Sequence, residues 1–212
     1  KCGSEFNFIH SVVEATKKSF LLRDKYITDP DYMKIDIYDL INDELFSKLA
    51  NEINYKEALE WHLKSQKGDT VWLGSSDKFG NSVSFIQSIY WEFGSGVVLD
   101  ETGITWQNRG MSFSLDDQHH NVLKPYRRPF HTIQPALASL SDGRTMVYGT
   151  MGGEGQPQTQ AMVFNRYVTH GHELQKAVTS PRWLLGRTWG SMTNAIRIED
   201  RFDQSVYEEL RG

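Results

Sequence analysis

Apolar residues recur at helical spacing through the first third of the chain. Residues 8–23 place apolar side chains roughly along one face, which predicts an amphipathic helix. Residues 36–53 repeat the pattern and predict a second helix, and residues 55–66 predict a third, short one. Asp29-Pro30 should interrupt helical structure, because proline disfavours the helical conformation of the residue before it. The sequence therefore opens with a helical region.

From Thr70 onward the pattern changes to β-branched and aromatic residues with partial alternation. Thr70–Leu73 and Ser82–Tyr90 predict two strands, and "SDKFGN" between them supplies turn residues, including Gly80, which can adopt a positive φ. Later strands are predicted in "PALASL", "RTMVYGTMGG" and "SMTNAIRIED", later helices in "TQAMVFNRYVTHG", "HELQKAVTS" and residues 203–211, and a turn at Ser141-Asp142-Gly143. Helices, strands, and helices again indicate an α+β fold.

The composition of the 212 residues excludes several classes of function. A formal net charge of −4 argues against a nucleic-acid partner, which usually requires a clustered basic face. No run approaches the roughly 18 apolar residues of a membrane-spanning helix. Cys2 is the single cysteine, which excludes an internal disulfide and fits a reducing, cytoplasmic compartment. A periplasmic or secreted location stays open, because the chain begins without methionine and we expect it to be a piece of a longer protein.

Histidines and carboxylates form no metal motif along the sequence. Neither His119-His120 nor the pair His170 and His172 is accompanied by an HExxH pattern or a carboxylate cluster, so we expect solvated side chains. No phosphate-binding glycine loop and no GxSxG motif occurs, and we expect neither a metal nor a cofactor. Thr70, taken alone, is a residue with ordinary strand propensity.

The ordered series of short motifs from Thr70 onward is more specific than any one of them. The series consists of Thr70, Asp77, Gly80-Asn81, Phe93-Gly94-Ser95-Gly96, Gly103-Ile104, Asn108, Arg128-Pro129, Pro135, Gly149, Gly152-Gly153 and Pro181-Arg182. It resembles the small subunit of the γ-glutamyltranspeptidase family, and "VVEATKKSFLLRD" upstream resembles the end of the family's large subunit. The resemblance covers the chain from about Phe8, so we expect a segment that spans the junction between the two subunits.

The resemblance implies an N-terminal-nucleophile hydrolase with a four-layer α-β-β-α sandwich, of which the large-subunit part would be missing here. Residues 1–69 would be the end of the large-subunit region and residues 70–212 the small-subunit region, together one domain. Members of the family cut themselves before a threonine, here between Asp69 and Thr70. Gly68 would permit the bend that strains the chain before the cut.

The resemblance also assigns the catalytic residues. Thr70 would supply the nucleophilic hydroxyl and, after cleavage, a free α-amino base with a reference pKa of about 7.7–8.0. Ser88 stands where the family has a second threonine and would orient Thr70. The backbone N–H groups of Gly152 and Gly153 would form the oxyanion hole.

Several substrate positions depart from the pattern of γ-glutamyl enzymes, where polar groups hold the ends of glutamate. These positions are Tyr90, Arg109, Ser112, His131 and Thr132. The gain of an arginine and the loss of a carboxylate favour a small anionic amide over an amino acid. The segments "WQNRGMSFSL", "RPFHT" and "YGTMGGEGQPQTQ" resemble an oxamate amidohydrolase branch, in which Gln156 to Gln160, Trp183 and Arg187 would line the pocket.

Two other functions stay open at this point. The first is a transferase or hydrolase of glutathione-like γ-glutamyl amides. The second is a non-catalytic relative or an inactive fragment that serves as a binding module. Without the large subunit, the sheets should expose an edge and an apolar face, and a homo- or hetero-oligomer is possible.

Overall fold

The computed structural model describes residues 4–61, 69–186 and 193–211. The elements in chain order are α1 (Glu5–Tyr26), α2 (Asp43–Asn51), β1 (Asp69–Ser76), β2 (Ser82–Tyr90), β3 (Val98–Leu99), β4 (Ile104–Thr105), β5 (Ala136–Ser139), β6 (Thr145–Tyr148), α3 (Gly155–Phe164), α4 (Leu174–Thr179), β7 (Trp183–Leu185), β8 (Ile196–Ile198) and α5 (Gln204–Arg211). This mixture of helices and strands confirms the α+β class.

The chain divides into two compact units that interleave along the sequence. The first unit comprises Lys1–His62, Gly110–His131 and Ile198–Gly212, and the second comprises Leu63–Arg109 and Thr132–Arg197. The first unit is mainly helical, with α1 packed against α5. The second unit contains α3, α4 and nearly all of the strands, together with Thr70.

The predicted first helix is confirmed and is longer than its apolar pattern suggested. The Ser4 hydroxyl accepts a hydrogen bond from the N–H of Asn7 at 3.2 Å and caps the helix, which therefore begins at Glu5, three residues before the predicted start. Phe8, Ile9 and Phe20 are buried along one face. At the other end, Ile27 is extended, so the helix stops before Asp29-Pro30 as predicted.

The second and third predicted helices need correction. Within 36–53, a 3₁₀ turn at Ile37–Asp39 precedes α2, because the Asn42 side chain accepts from the Leu45 N–H at 2.8 Å and starts a new helix there. The third prediction is wrong over 55–61, where the chain is not helical. Its backbone bonds to α1 instead: Leu59 donates its N–H to Glu14 at 3.0 Å and accepts from Lys17 at 2.6 Å. Residues 62–66 lie outside the described residues.

The predicted hairpin is confirmed: β1 and β2 form an antiparallel pair in which Trp72 lies opposite Ile86. The Asp77 carboxylate stabilises the turn by accepting from the N–H groups of Phe79 and Asn81, at 2.9 and 3.0 Å. These hydrogen bonds, with that of the Asn81 side chain the strongest, lower the pKa of Asp77. Gly80 has φ +86°, the conformation expected from the sequence.

A second hairpin packs against the first. β5 and β6 pair antiparallel around the predicted turn, and the Ser84 hydroxyl on β2 donates to the carbonyl oxygen of Tyr148 on β6 at 3.4 Å. Gly149 is required where β6 ends, because a Cβ there would lie 2.2 Å from the Trp72 ring. The absence of a side chain at Gly149 therefore lets the backbone after β6 pack directly against Trp72 of the first hairpin.

The remaining strands are short, and the sequence pattern did not predict β3, β4 or β7. Among the described residues, the strands form four two-stranded sheets: β1-β2, β3-β4, β5-β6 and β7-β8. The predicted helices around α3, α4 and α5 and the strand at β8 are confirmed, although a π-helical turn at Asn165–Thr169 extends α3. No helix in the described ranges is long and apolar enough to cross a membrane.

Candidate active site

Thr70 and Ser88 meet where the first hairpin opens. The Thr70 hydroxyl donates to the Ser88 Oγ across the strand pair at 3.1 Å, and both side chains are half-buried. The N–H of Tyr90 donates to the same Ser88 oxygen at 3.0 Å. Ser88 is thereby fixed from one side while it holds the Thr70 hydroxyl on the other. The structure brings together the predicted nucleophile and its predicted orienting residue.

The bond predicted to be cut lies within an irregular part of the strand pair. The backbone of Asp69 pairs with Tyr90, and the register shifts between Asp69 and Val71. Such a bulge bends the strand and redirects a side chain, and bulges are frequent beside active sites. Tyr90 has φ +79°, which is rare for a bulky residue. Gly68, for which a bend was predicted, lies outside the described residues.

Gly152 and Gly153 lie between β6 and α3 in the same unit as Thr70. Both are buried, with φ +107° and +53°, conformations that L side chains rarely adopt. Among the described residues, neither N–H donates a hydrogen bond, whereas their carbonyl groups accept from Gly155 and Gln156 at the start of α3. Two buried N–H donors that have no acceptor in the described part of the chain, beside a helix N-terminus, can stabilise a negatively charged oxygen.

Arg109 is a buried cation held by an aromatic ring and a hydroxyl. Its guanidinium carbon lies 4.0 Å from the centroid of the Tyr90 ring, and Nη1 donates to Thr132 Oγ1 at 2.9 Å. The backbone N–H of Arg109 donates to the side chain of Gln107. Only 3% of the residue is exposed, and within the described ranges no carboxylate pairs with it. Burial lowers its pKa to about 10, against a smaller opposing effect of Tyr90.

Asn108 joins the strand that carries Ser88 to the segment that carries Arg109. Its side chain accepts from the N–H of Trp91 at 3.1 Å, and its own N–H donates to the carbonyl oxygen of Ile89. Asn108 appears in the family pattern, but sequence reasoning gave it no role. The Trp91 indole lies 6.0 Å from the Tyr90 ring, and its buried Nε1 has no partner among the described residues. No sequence signal pointed to Trp91.

The three glutamines of α3 differ in their partners. Gln158 accepts from the Leu185 N–H at 2.8 Å, and Gln160 donates to the Gln134 carbonyl oxygen at 2.9 Å, so both hold neighbouring backbone. Gln156 is fully buried and accepts from the Gln134 N–H at 3.1 Å. Its Nε2 has no partner in the described part of the chain. Of the three, Gln156 alone retains a buried donor for a ligand.

Two predicted substrate residues belong to the other compact unit. Ser112 and His131 fall within Gly110–His131 of the first unit, and their role stays a prediction. The Ser112 carbonyl oxygen accepts from the Asn121 side chain at 2.6 Å. Trp183, also expected to line the pocket, is buried on β7 with Arg166 above its ring at 5.7 Å. Arg187 lies outside the described residues.

The histidine pairs take part in local contacts. His119 and His120 stack with ring centroids 4.4 Å apart, and His119 Nδ1 accepts from the Asn121 N–H. His170 and His172 lie 6.3 Å apart. Within residues 4–61, 69–186 and 193–211, no group of three histidine, cysteine or acidic side chains could hold a metal ion.

Comparison with known proteins places this geometry in a family. The model described as gamma-glutamyltranspeptidase matches residues 2–212. The chain belongs to that family. The family predicted from the ordered motifs is therefore confirmed.

Two curated relatives and one solved structure are similar over nearly the whole chain. The chain is 53% identical over 203 residues to the oxamate amidohydrolase proenzyme of Klebsiella pneumoniae, covering 96% of this chain and 38% of that protein. It is 44% identical over 206 residues to the glutathione hydrolase-like YwrD proenzyme of Bacillus subtilis, covering 97% and 39%. The crystal structure of cephalosporin acylase from Bacillus halodurans matches with a TM-score of 0.81 at 36% identity, covering 98% of this chain and 37% of that one.

These comparisons fix the fold and the scale of the complete proteins. The chain has the N-terminal-nucleophile hydrolase fold, as predicted. It spans about two-fifths of the length of the curated relatives it matches. Both relatives are named as proenzymes.

Proposed function

We propose that the complete protein is a threonine amidohydrolase that activates itself by cutting the Asp69–Thr70 bond. The observation that carries this proposal is the hydrogen bond from the Thr70 hydroxyl to Ser88 at 3.1 Å, at the second residue of β1. A strand threonine needs no such partner for its β-propensity. A nucleophile does, because its hydroxyl must be held in one orientation to attack.

Self-cleavage begins when the Thr70 oxygen attacks the Asp69 carbonyl carbon. The peptide C–N bond breaks, the acyl group moves to the Thr70 oxygen as an ester, and the nitrogen takes up the hydroxyl proton. Water then hydrolyses the ester and releases the main-chain α-carboxylate of Asp69. The products are a new C-terminus at Asp69 and a free α-amino group on Thr70.

The free amine makes Thr70 both nucleophile and base. With a reference pKa of about 7.7–8.0, the amine can accept the hydroxyl proton near neutral pH and return it to the leaving amine. The substrate acyl group forms an ester with Thr70, and water or another acceptor releases it. The N–H groups of Gly152 and Gly153 would bind the oxyanion, and one such donor lowers the barrier by about 3 kcal/mol.

The substrate class follows from the charge of Arg109. A buried guanidinium without a carboxylate partner in the described protein favours an anionic ligand, since burying an unpaired charge is costly. A carboxylate can accept two parallel hydrogen bonds from such a group. Oxamate carries a carboxylate next to its amide, and the relative at 53% identity is named an oxamate amidohydrolase. Oxamate is therefore the first substrate to test.

A γ-glutamyl amide is the second candidate substrate, because the relative at 44% identity is named as glutathione hydrolase-like. Such a substrate carries an α-ammonium group, which requires a carboxylate or amide partner. Arg109, Tyr90 and Thr132 provide no carboxylate, so this candidate ranks below oxamate. A binding module without catalysis would leave the Thr70–Ser88 pair and the unused glycine donors without a purpose.

A segment corresponding to the large subunit of the family would complete the protein. The outer face of the first hairpin exposes Val71, Leu73, Val83 and Phe85, each about half accessible. An apolar strand face of this kind is normally covered. The relatives are longer than this chain, and a segment corresponding to their additional residues would cover the face.

The experiment is to express the complete protein and determine intact masses under denaturing conditions. The wild type should yield a C-terminal piece that begins Thr70-Val71-Trp72 and should hydrolyse oxamate. Thr70→Ala should remain one chain and lose all turnover. Thr145→Ala, an exposed threonine at the start of β6, is the matched control and should cleave normally. Uncut wild type would refute the proposed mechanism.

A further inference from the structure

Tyr90 occupies an unusual position at the end of β2. Only 2% of the residue is exposed, and its backbone has φ +79°. A tyrosine pays a steric cost for this conformation, whereas asparagine and glycine adopt it more readily. Strained residues of this kind cluster at functional sites, where the surrounding structure enforces them.

The backbone of Tyr90 is tied to the site of self-cleavage. Tyr90 pairs with Asp69, and its N–H donates to Ser88, the residue that receives the Thr70 hydroxyl. The strained backbone thus serves two purposes: it supports Ser88 and it directs the Tyr90 ring toward Arg109.

The ring of Tyr90 covers one face of the Arg109 guanidinium at 4.0 Å. A planar guanidinium that lies against a ring keeps its N–H groups pointing outward along its edge. Thr132 takes one of these donors. The other side-chain donors of Arg109 have no partner among the described residues. The Trp91 indole N–H, in the ring next to Tyr90, is a buried donor that has no partner among the described residues.

We propose that Tyr90 is a specificity-determining positioning residue: its ring holds the Arg109 guanidinium in the orientation that receives a substrate carboxylate, and the positive charge held there repels an α-ammonium group. The inference rests on the proposed amidohydrolase function. It selects amides whose acyl part carries a carboxylate and no ammonium group. Because the ring face makes the contact, the phenol hydroxyl is not required.

The test compares Tyr90→Phe with Tyr90→Asn in the complete, self-cleaved protein. Tyr90→Phe keeps the ring and the backbone strain. Tyr90→Asn removes the ring but tolerates φ +79°, so a loss of affinity cannot come from the backbone. Phe93→Asn is the matched control, because Phe93 also has a positive φ, of +60°, but is 80% exposed.

The readouts are KM and kcat for oxamate, per cleaved chain, and the inhibition constant of oxalate, the dicarboxylate product. Tyr90→Asn should raise KM and the oxalate constant at least tenfold and lower kcat less than threefold. Tyr90→Phe should stay within threefold of wild type in both constants, and Phe93→Asn should match wild type. An unchanged oxalate constant in Tyr90→Asn would overturn the inference, and so would equal losses in Tyr90→Phe and Tyr90→Asn.

Failure of the proposed function can be told apart from failure of this inference. Oxalate binding measured by calorimetry needs no turnover, so the role of Tyr90 is tested even if the wild type hydrolyses no amide. If Tyr90→Asn does not fold, Arg109→Lys replaces it, because an ammonium keeps the charge but not the planar fork. Arg109→Lys should weaken oxalate at least tenfold, and unchanged binding would overturn the inference.

Discussion

The two faces of the β1–β2 hairpin differ in burial and in polar content. On one face, Thr70 bonds to Ser88 at 3.1 Å and the Trp72 indole N–H donates to Ser84 at 2.9 Å. These four side chains, which we call the inner face, are half-buried. The outer face, defined above by Val71, Leu73, Val83 and Phe85, is apolar and exposed.

In the usual hairpin the apolar face is buried and the polar face meets water, whereas here the inner face buries polar groups beside Ile86, which lies opposite Trp72, and the outer face exposes four apolar side chains. The inner face tolerates burial because its polar groups pair across the strands, which offsets the cost of removing them from water. The outer face has no such compensation in the described residues. This difference supports the two proposals above, a catalytic role for the Thr70–Ser88 pair on the inner face and a cover over the outer face in the complete protein.

The largest effect within the inner face is expected from Ser88→Ala. This change removes the acceptor of both the Thr70 hydroxyl and the Tyr90 N–H. A misplaced nucleophile costs about 100-fold in rate, so self-cleavage and kcat should both fall by about that factor. Time courses of intact mass and steady-state kinetics per cleaved chain measure the two rates.

Two further variants sharpen the Ser88 result. Ser88→Thr keeps a hydroxyl and should restore most of both rates. Ser82→Ala is the control at the other end of β2, where the half-buried Ser82 bonds to Ser76, and it should change neither rate. Wild-type rates in Ser88→Ala would show that Thr70 is oriented by another group.

A smaller effect is expected on the outer face, from Phe85→Asp. If the rest of the complete protein covers this face, the change should lower its free energy of unfolding by about 2–3 kcal/mol, the value of burying a phenylalanine. Denaturant unfolding in the Thr70→Ala background keeps the protein as one chain. Phe79→Asp, at the exposed turn of the same hairpin, is the control and should cost less than about 0.5 kcal/mol. Equal, small losses in both variants would mean that the outer face meets water in the complete protein.

The sequence predicts the hairpin and the proximity of Thr70 and Ser88 better than it predicts the other elements. Alternation and the D-x-x-G-N turn are local signals, and Asp77 satisfies that turn within five residues. The non-helical path of 55–61 could not be predicted, because it depends on hydrogen bonds that Leu59 donates to Glu14 and accepts from Lys17, more than 40 residues earlier. The short strands β3, β4 and β7 carry too few residues for a period to be recognised.

In the candidate site, too, local motifs could be predicted from the sequence and contacts between distant residues could not. The resemblance to the family placed Thr70, Ser88 and the two glycines, since each occupies a motif position. The cluster around Arg109 could be suspected from the departures at Tyr90 and Arg109. The stacking of those two side chains depends on tertiary packing, and the unused Trp91 donor gives no signal in the sequence.

The smallest effect concerns the charge of Arg109. Its guanidinium lies against the ring of Tyr90, the last residue of β2. Burial lowers the pKa of Arg109 to about 10, so the group carries the charge that a carboxylate requires below that pH and becomes neutral above it. For oxamate, kcat/KM should rise as the Thr70 amine loses its proton near pH 7.7–8.0 and then fall about tenfold per pH unit above pH ~10. The profile of the uncharged diamide oxamide should lack this fall, because Arg109 has no carboxylate to hold there. A parallel fall for both substrates, with circular dichroism unchanged, would assign the alkaline limb to another group and separate Arg109 from anion binding.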